Sequence, residues 1–157
     1  MAQQLWLLRH GEAEPHDARP DDERRLTDRG RGQARSAGCA LAALKIEVQL
    51  AFTSPKVRAR DTALLACEPL GVEPMEHAPL SGGFDGEDAL GLMAAAGPDQ
   101  RVLAVGHEPD FSQVVHDLTG GRIDLKKGGI AAIRLDGTRG ELIAILRPRE
   151  LDRICGK

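Results

Sequence analysis

Tyrosine is absent from this 157-residue chain, and aromatic residues make up only 3% of it. So few large rings leave little to anchor a protein interface, and the sequence points to a monomer. Long apolar runs are missing as well. None approaches the roughly 18–20 residues of a membrane span, and the amino terminus lacks the basic-then-apolar layout of a secretory leader. The cytoplasm is the default compartment. Charge of one sign is not in excess either: 21 Lys+Arg face 24 Asp+Glu, for a net charge of -3. That balance argues against a general binder of nucleic acid or of anionic membranes, so any strong anion site must be local. The three cysteines, Cys39, Cys67 and Cys155, are odd in number and widely separated. They offer neither a disulfide framework nor a CxxC metal site and read as reduced thiols. HExxH and GxxxxGK[ST] are both missing, which removes the usual sequence signs of a zinc site and of a nucleotide P-loop.

What is present is an alternation of strand and helix signals. Leu5 to Leu8 is a continuous apolar run, the mark of a strand covered on both faces. The polar stretch from Glu12 to Arg25 reads as a surface loop. Thr27 and Asp28 then open a helix with Ala34, Ala37, Leu41 and Leu44 on one face. "VQLAFTSP" at 48–55 reads as a second strand, with Ser54 as N-cap and Pro55 as first residue of the next helix. A weak strand at 72–76 leads into a glycine-rich turn and a short helix running through Met93 to Ala96, stopped by Gly97 and Pro98. "RVLAV" at 101–105 is the third clear strand. Pro109 begins a helix whose Phe111, Val114, Val115 and Leu118 share one face. Two apolar runs, Ile130 to Leu135 and Leu142 to Leu146, flank "DGTRG", a hairpin signal. No repeat or linker divides the chain, so residues 1–157 read as one domain. The pattern predicts a three-layer α/β/α sandwich around a mostly parallel sheet, antiparallel at its carboxy-terminal edge.

In such sheets ligands bind at the carboxyl ends of the strands. Here the first strand runs into Arg9 and His10, the second into Ser54 with Arg58 close behind, and the third into His107. If the three strands are neighbours, two arginines and two histidines meet at one edge. Each has an ordinary alternative reading. Arg9 alone would be a solvated strand end. Arg58 sits in a first helical turn, where a cation is disfavoured unless an acid or an anion stands nearby, and Asp61 at i+3 is the nearest candidate in sequence. His16, His77 and His116 read as structural or surface residues. His10 and His107 differ from them by place, because each follows an apolar strand and adjoins a glycine that lets the chain turn.

A divalent cation would be repelled by two guanidinium groups, whereas phosphate matches their forked donors. A neutral imidazole can also attack phosphorus and hold the group covalently, which divides one hard displacement into two easier ones.

The chain also resembles a known family. "LRHGEAE" at 8–14, "LTDRGRGQA" at 26–34, "TSPKVRARDTA" at 53–63 and "GHEPDFS" at 106–112 are together similar to the histidine phosphatase superfamily, with its phosphoglycerate mutase-like fold. The short length, the "RHGEAE" form and "LKKGGIAAIRL" at 125–135 resemble its SixA-type phosphohistidine phosphatase branch. The resemblance implies that His10 is the phosphorylated nucleophile and that Arg9, Arg58 and His107 hold the phosphoryl oxygens. It implies no cofactor and no metal.

One departure bears on substrate. Larger relatives carry an acidic proton donor after the strand that ends here near Glu76, but this chain reads "HAPLSGG". Asp85 and Glu87 are candidates, but both read more readily as ordinary first-turn acids of the next helix. A missing acid harms ester hydrolysis more than cleavage of a labile phosphoramidate. The expected activity is therefore metal-independent hydrolysis of protein phosphohistidine. The alternatives are a small phosphoester substrate, a phosphate-binding module without catalysis, and a mutase-type transferase, the last weakened by the short stretch between Arg58 and His107.

Overall fold

The computed structural model describes residues 2–157. Its centre is a six-stranded sheet in the order β3-β2-β4-β1-β5-β6. The strands are β1 (Gln3–Arg9), β2 (Leu50–Thr53), β3 (Pro74–Glu76), β4 (Arg101–Gly106), β5 (Ile130–Asp136) and β6 (Arg139–Leu146). β1 and β2 both pair in parallel with β4, and β3 adds in parallel to β2. β5 runs antiparallel to β1, and the hairpin partner β6 closes that edge. The three strands expected to carry the site are thus adjacent, with β4 between the other two.

Alternation along the strands sends side chains to two separate cores. Leu5 and Leu7 of β1 join Phe84, Phe111, Val114 and Val115 on one face, beneath α3 (Gly86–Met93) and α4 (Asp110–Thr119). Trp6 and Leu8 join Ala37, Leu41, Ala63 and Leu151 on the other, beneath α1 (Asp28–Ala43), α2 (Val57–Cys67) and α5 (Pro148–Ile154). Both faces of the sheet are therefore covered, which is why β1 reads as an unbroken apolar run. The layers are those of the α/β/α sandwich expected from the sequence.

Several local signals hold in the structure. Thr27 caps α1, its Oγ1 accepting from the Gly30 N–H at 3.1 Å. Asp85 caps α3 in a reciprocal pair with Asp88. Gly120 ends α4 in the left-handed region at φ 79°. α3 stops at Met93, three residues short of the expected end, and Ala94–Ala96 continue as turns. Ser54 is not a helix cap: α2 begins at Val57 with no side-chain cap, because the Ser54 hydroxyl is engaged elsewhere.

The cysteines require a correction. Cys39 of α1 and Cys155, at the end of α5, form a disulfide with their Cα atoms 5.5 Å apart, so only Cys67 is a free thiol. The last helix folds back onto α1 and brings together two residues 116 positions apart in the chain, a proximity that spacing cannot reveal. Burial pushes the Cys67 thiol up to about 12, leaving it inert.

Candidate active site

The ends of β1, β2 and β4 deliver Arg9, His10, Ser54 and His107 to one edge of the sheet, and the first turn of α2 adds Arg58. His10, Arg58 and His107 are buried at 7%, 6% and 7% exposure, and Ser54 fully so. The two imidazoles face each other with ring centroids 5.2 Å apart. All four residues nominated from the sequence therefore lie around the same strand ends.

His10 is held by its own loop. Its backbone N–H donates to the Gly106 carbonyl of β4 at 3.0 Å, and its Nδ1 lies 2.7 Å from the Gly11 carbonyl. A carbonyl can only accept, so Nδ1 carries the proton and Nε2 keeps its lone pair in the neutral ring. Burial, then the charges of Arg58, Arg9 and Lys127, push the ring down to about 3, against the Gly11 hydrogen bond that raises it. At neutral pH it is an uncharged base with one free nitrogen.

Gly11 is needed at the turn because the backbone of α1 comes too close for a side chain. A Cβ there would stand 2.4 Å from the Gly30 carbonyl oxygen. Gly11 N–H donates to Thr62 Oγ1 at 3.1 Å, and the Thr62 hydroxyl donates to the Arg58 carbonyl at 2.7 Å. The loop bearing His10 and the helix bearing Arg58 are thereby tied together.

His107 is likewise pushed down to about 3, by burial and then by His10, Arg58 and Lys56. Its Nε2 lies 2.8 Å from Ser54 Oγ, which also accepts the Lys56 N–H at 3.2 Å. The hydroxyl has one proton to place and Nε2 is the acceptor beside it among the described residues, so it donates there and the ring carries its proton on Nδ1. That nitrogen is buried and has no partner among the described residues, and the same holds for Nε of Arg9 and Nε of Arg58. Buried donors are nearly always paired, so three such atoms in one place mark a site built for an acceptor.

The arginines are oriented by different means. Arg9 donates from Nη1 to the Leu125 carbonyl at 2.9 Å. Arg58 donates to the Asp21 carbonyl at 2.7 Å and contacts the Asp21 carboxylate at 3.3 Å. Burial lowers both guanidinium groups, opposed by Glu108 and Asp124 for Arg9 and by Asp21 for Arg58. Both remain cations at any ordinary pH. Burial also opposes ionisation of Asp21, but Lys56, Arg58 and Arg24 outweigh it and hold that carboxyl well below the usual carboxylate range.

Asp21, Ser54 as a partner of His107, Thr62 and the Leu125 carbonyl all escape a reading of the sequence. Asp61 is not the partner of Arg58; it lies 3.9 Å from Arg60. Of the two candidate proton donors, Asp85 is committed to capping α3, and Glu87 is an exposed first-turn acid of the same helix. His77 packs edge-on against Phe52 and Phe84, while His16 and His116 are exposed. Among the described residues, no group of three or more His, Cys, Asp or Glu side chains is arranged to hold a metal ion. No helix among them is long and apolar enough to cross a membrane.

Comparison with known proteins agrees with this geometry. The sequence profile of the histidine phosphatase superfamily (branch 1) matches residues 5–81. An uncharacterised protein of Picosynechococcus sp. is 31% identical over 166 residues, covering 94% of this chain and 98% of the relative. The structure of the protein histidine phosphatase SixA complexed with tungstate superposes with a TM-score of 0.84 at 25% identity, over 94% of this chain and 99% of that one. A phosphoserine phosphatase mutant from Entamoeba histolytica, in complex with phosphoserine, shares the fold at a TM-score of 0.76 and 15% identity, over 95% and 99% of the two chains. By profile and fold, the chain belongs to the histidine phosphatase superfamily, on its SixA-like branch, and is a phosphatase.

Proposed function

We propose that the chain hydrolyses protein phosphohistidine without a metal, through a covalent phosphoryl group on His10. The observation that carries the reading is the pairing of Nδ1 of His10 with the Gly11 carbonyl, which leaves Nε2 as the free nucleophilic nitrogen beside three buried, unpartnered donors. In the first step Nε2 attacks phosphorus, a new N–P bond forms, and the N–P bond of the substrate breaks. The departing histidine takes up a proton from solvent water. Nε of Arg9, Nε of Arg58 and Nδ1–H of His107 are the donors for the phosphoryl oxygens, whose negative charge they offset. In the second step water attacks the phosphoryl group, giving inorganic phosphate and restoring His10. Fixed donors suit phosphoryl transfer, which depends mainly on positioning and charge neutralisation.

The preference for phosphohistidine rests on the leaving group. An imidazole leaves phosphorus far more readily than an alkoxide, and of the two candidate acids Asp85 is occupied as a helix cap and Glu87 is an exposed first-turn acid of the same helix. The similarity to SixA, a protein histidine phosphatase, supports the same substrate class.

The test compares kcat/KM on a chemically phosphorylated histidine-bearing protein domain with that on phosphoserine and 3-phosphoglycerate. A preference of at least a hundredfold for the phosphoprotein is expected. Comparable or better turnover of a small ester would make the chain a small-molecule phosphatase of the same family. Tight phosphate binding with no turnover of any substrate would make it a binding module.

A further inference from the structure

Beside the buried site runs an open groove of about 510 Å³ between the start of α1, the segment around residues 126–127 and the start of α5. Its walls carry Arg9, Arg29, Lys126, Lys127, Arg147 and Arg149. Four carboxylates offset them in part: Glu12 at 3.3 Å from Arg29, Asp124 at 2.7 Å from Lys126, Glu150, which Arg147 and Arg149 share at 3.1 Å each, and Glu108, whose charge acts on Arg9. The groove thus keeps an excess of two positive charges, on a chain whose net charge is -3.

The groove adjoins the active site through Arg9. Arg9 lines both, and Lys127 is close enough to help depress the His10 imidazole. The other cations stand out in solvent, with side-chain exposures of 76% for Arg29, 56% for Lys126, 50% for Arg147 and 76% for Arg149. They come from three separate elements and include no aromatic platform and no buried donor apart from Arg9. Such a layout is poor at gripping one small anion in a fixed geometry. It suits a broad acidic surface, which gains from many loose charge contacts and from steered encounter.

We propose that this groove docks an acidic patch of the partner protein, next to the phosphorylated histidine that enters the site. The inference rests on the proposed action on protein phosphohistidine and adds the charge of the partner. Docking of this kind raises kcat/KM, through encounter, more than kcat, and it fades as salt screens the exposed charges.

The test uses two synthetic fluorescent peptides of equal length, each with one histidine phosphorylated by phosphoramidate. One is flanked by Asp and Glu, the other by Ser and Gln. At about 20 mM salt the acidic peptide should have a kcat/KM at least tenfold higher, in line with electrostatic rate gains of ten or more. The ratio should drop below twofold at about 500 mM salt and in the double variant Lys126→Glu, Arg149→Glu. Because it is taken within each protein preparation, a poorly folded variant lowers both rates and leaves the ratio readable. Equal rates for the two peptides in the unaltered protein at low salt overturn the proposal. If tripolyphosphate also inhibits the unaltered protein and not the variant, the groove belongs to a small polyanion instead. Should neither peptide be hydrolysed while para-nitrophenyl phosphate is, the phosphohistidine reading fails and fluorescence anisotropy of the unphosphorylated peptides decides the groove. Acidic peptide binding at least tenfold tighter than neutral, lost in the double variant, upholds it; equal binding overturns it.

Discussion

Nε2 of His107 and Oγ of Ser54 are 2.8 Å apart at the edge of the sheet, so the serine that precedes Pro55 serves the imidazole and not the helix. Ser54→Ala removes the one partner that nitrogen has among the described residues and leaves it buried. Losing a hydrogen bond to a buried group costs about 1–3 kcal/mol, equivalent to roughly 5- to 160-fold in rate when the ring acts on the transition state. We expect kcat/KM to fall at least tenfold while the fold is kept, with 15N chemical shifts reporting loss of the single His107 tautomer. A fall of less than twofold would mean that the ring is held by packing alone.

The two imidazoles also set how stability depends on pH. Each has a folded pKa near 3, well below the ordinary histidine value of about 6.5. Between those values the unfolded chain binds a proton that the folded chain refuses, so the free energy of unfolding falls as pH falls. The stability is fully present above about pH 6.5 and is lost progressively on the way down to about pH 3. The limiting slope is about 1.4 kcal/mol per pH unit for each ring. Glu14 and Glu150, each held near 2 chiefly by bonds to arginine side chains and backbone N–H groups, lose their contribution only below about pH 4.5. The window from pH 6.5 to 4.5 therefore reports the histidines. Urea unfolding of the phosphate-free protein should show a steep loss there, and His107→Asn should make it shallower. An unchanged slope would place the protonation elsewhere.

The contrast between apolar strand and polar terminus made the core of this site legible. Leu5 to Leu8 running into Arg9 and His10, and Arg101 to Val105 running into Gly106 and His107, are visible in the chain because both periodicity and polarity change at one point. The bonds that hold those residues leave no such mark. Leu125 contributes a backbone carbonyl, which any residue would supply. Asp21 lies in a polar loop without periodicity, and only its return across the site brings it to Arg58. Ser54 misleads because serine followed by proline is chemically a good helix start, and a tertiary partner outcompetes that local use. α5 is seven residues long, too short for its period to stand out, and with it the pairing of Cys155 is hidden.

That pairing carries its own expectation. The disulfide closes a separation of 116 residues and pins α5, whose first turn supplies one wall of the cationic groove, against α1. Constraining so long a loop in the unfolded chain stabilises a domain by about 2–5 kcal/mol. Dithiothreitol, or Cys39→Ser, should lower the melting temperature by several degrees or more. The buried site should keep its turnover of small substrates, because none of its hydrogen bonds passes through α5. Differential scanning fluorimetry with and without reductant, alongside para-nitrophenyl phosphate hydrolysis, makes the check. A melting point insensitive to reductant would show that the packing of Leu151 holds the helix by itself.

The sharpest demand on the backbone falls at Gly11. Gly11→Ala puts a methyl group 2.4 Å from the Gly30 carbonyl oxygen, and that oxygen belongs to the first turn of α1 and cannot swing aside as a flexible side chain would. The loop must shift, at a cost of about 1–3 kcal/mol for an overpacked contact. Any shift carries the Gly11 carbonyl with it, and that carbonyl is what fixes the proton on Nδ1 of His10. Stability and catalysis should therefore fall together: a lower melting temperature, and kcat reduced by tenfold or more with little change in KM, since Arg9 and Arg58 are anchored by other bonds. Ala at position 32 is the control, because Gly32 has nothing within 4 Å of its added Cβ. If Gly11→Ala melts lower yet turns over at the original rate, the tautomer of His10 does not depend on that carbonyl, and the free nitrogen must be secured in another way.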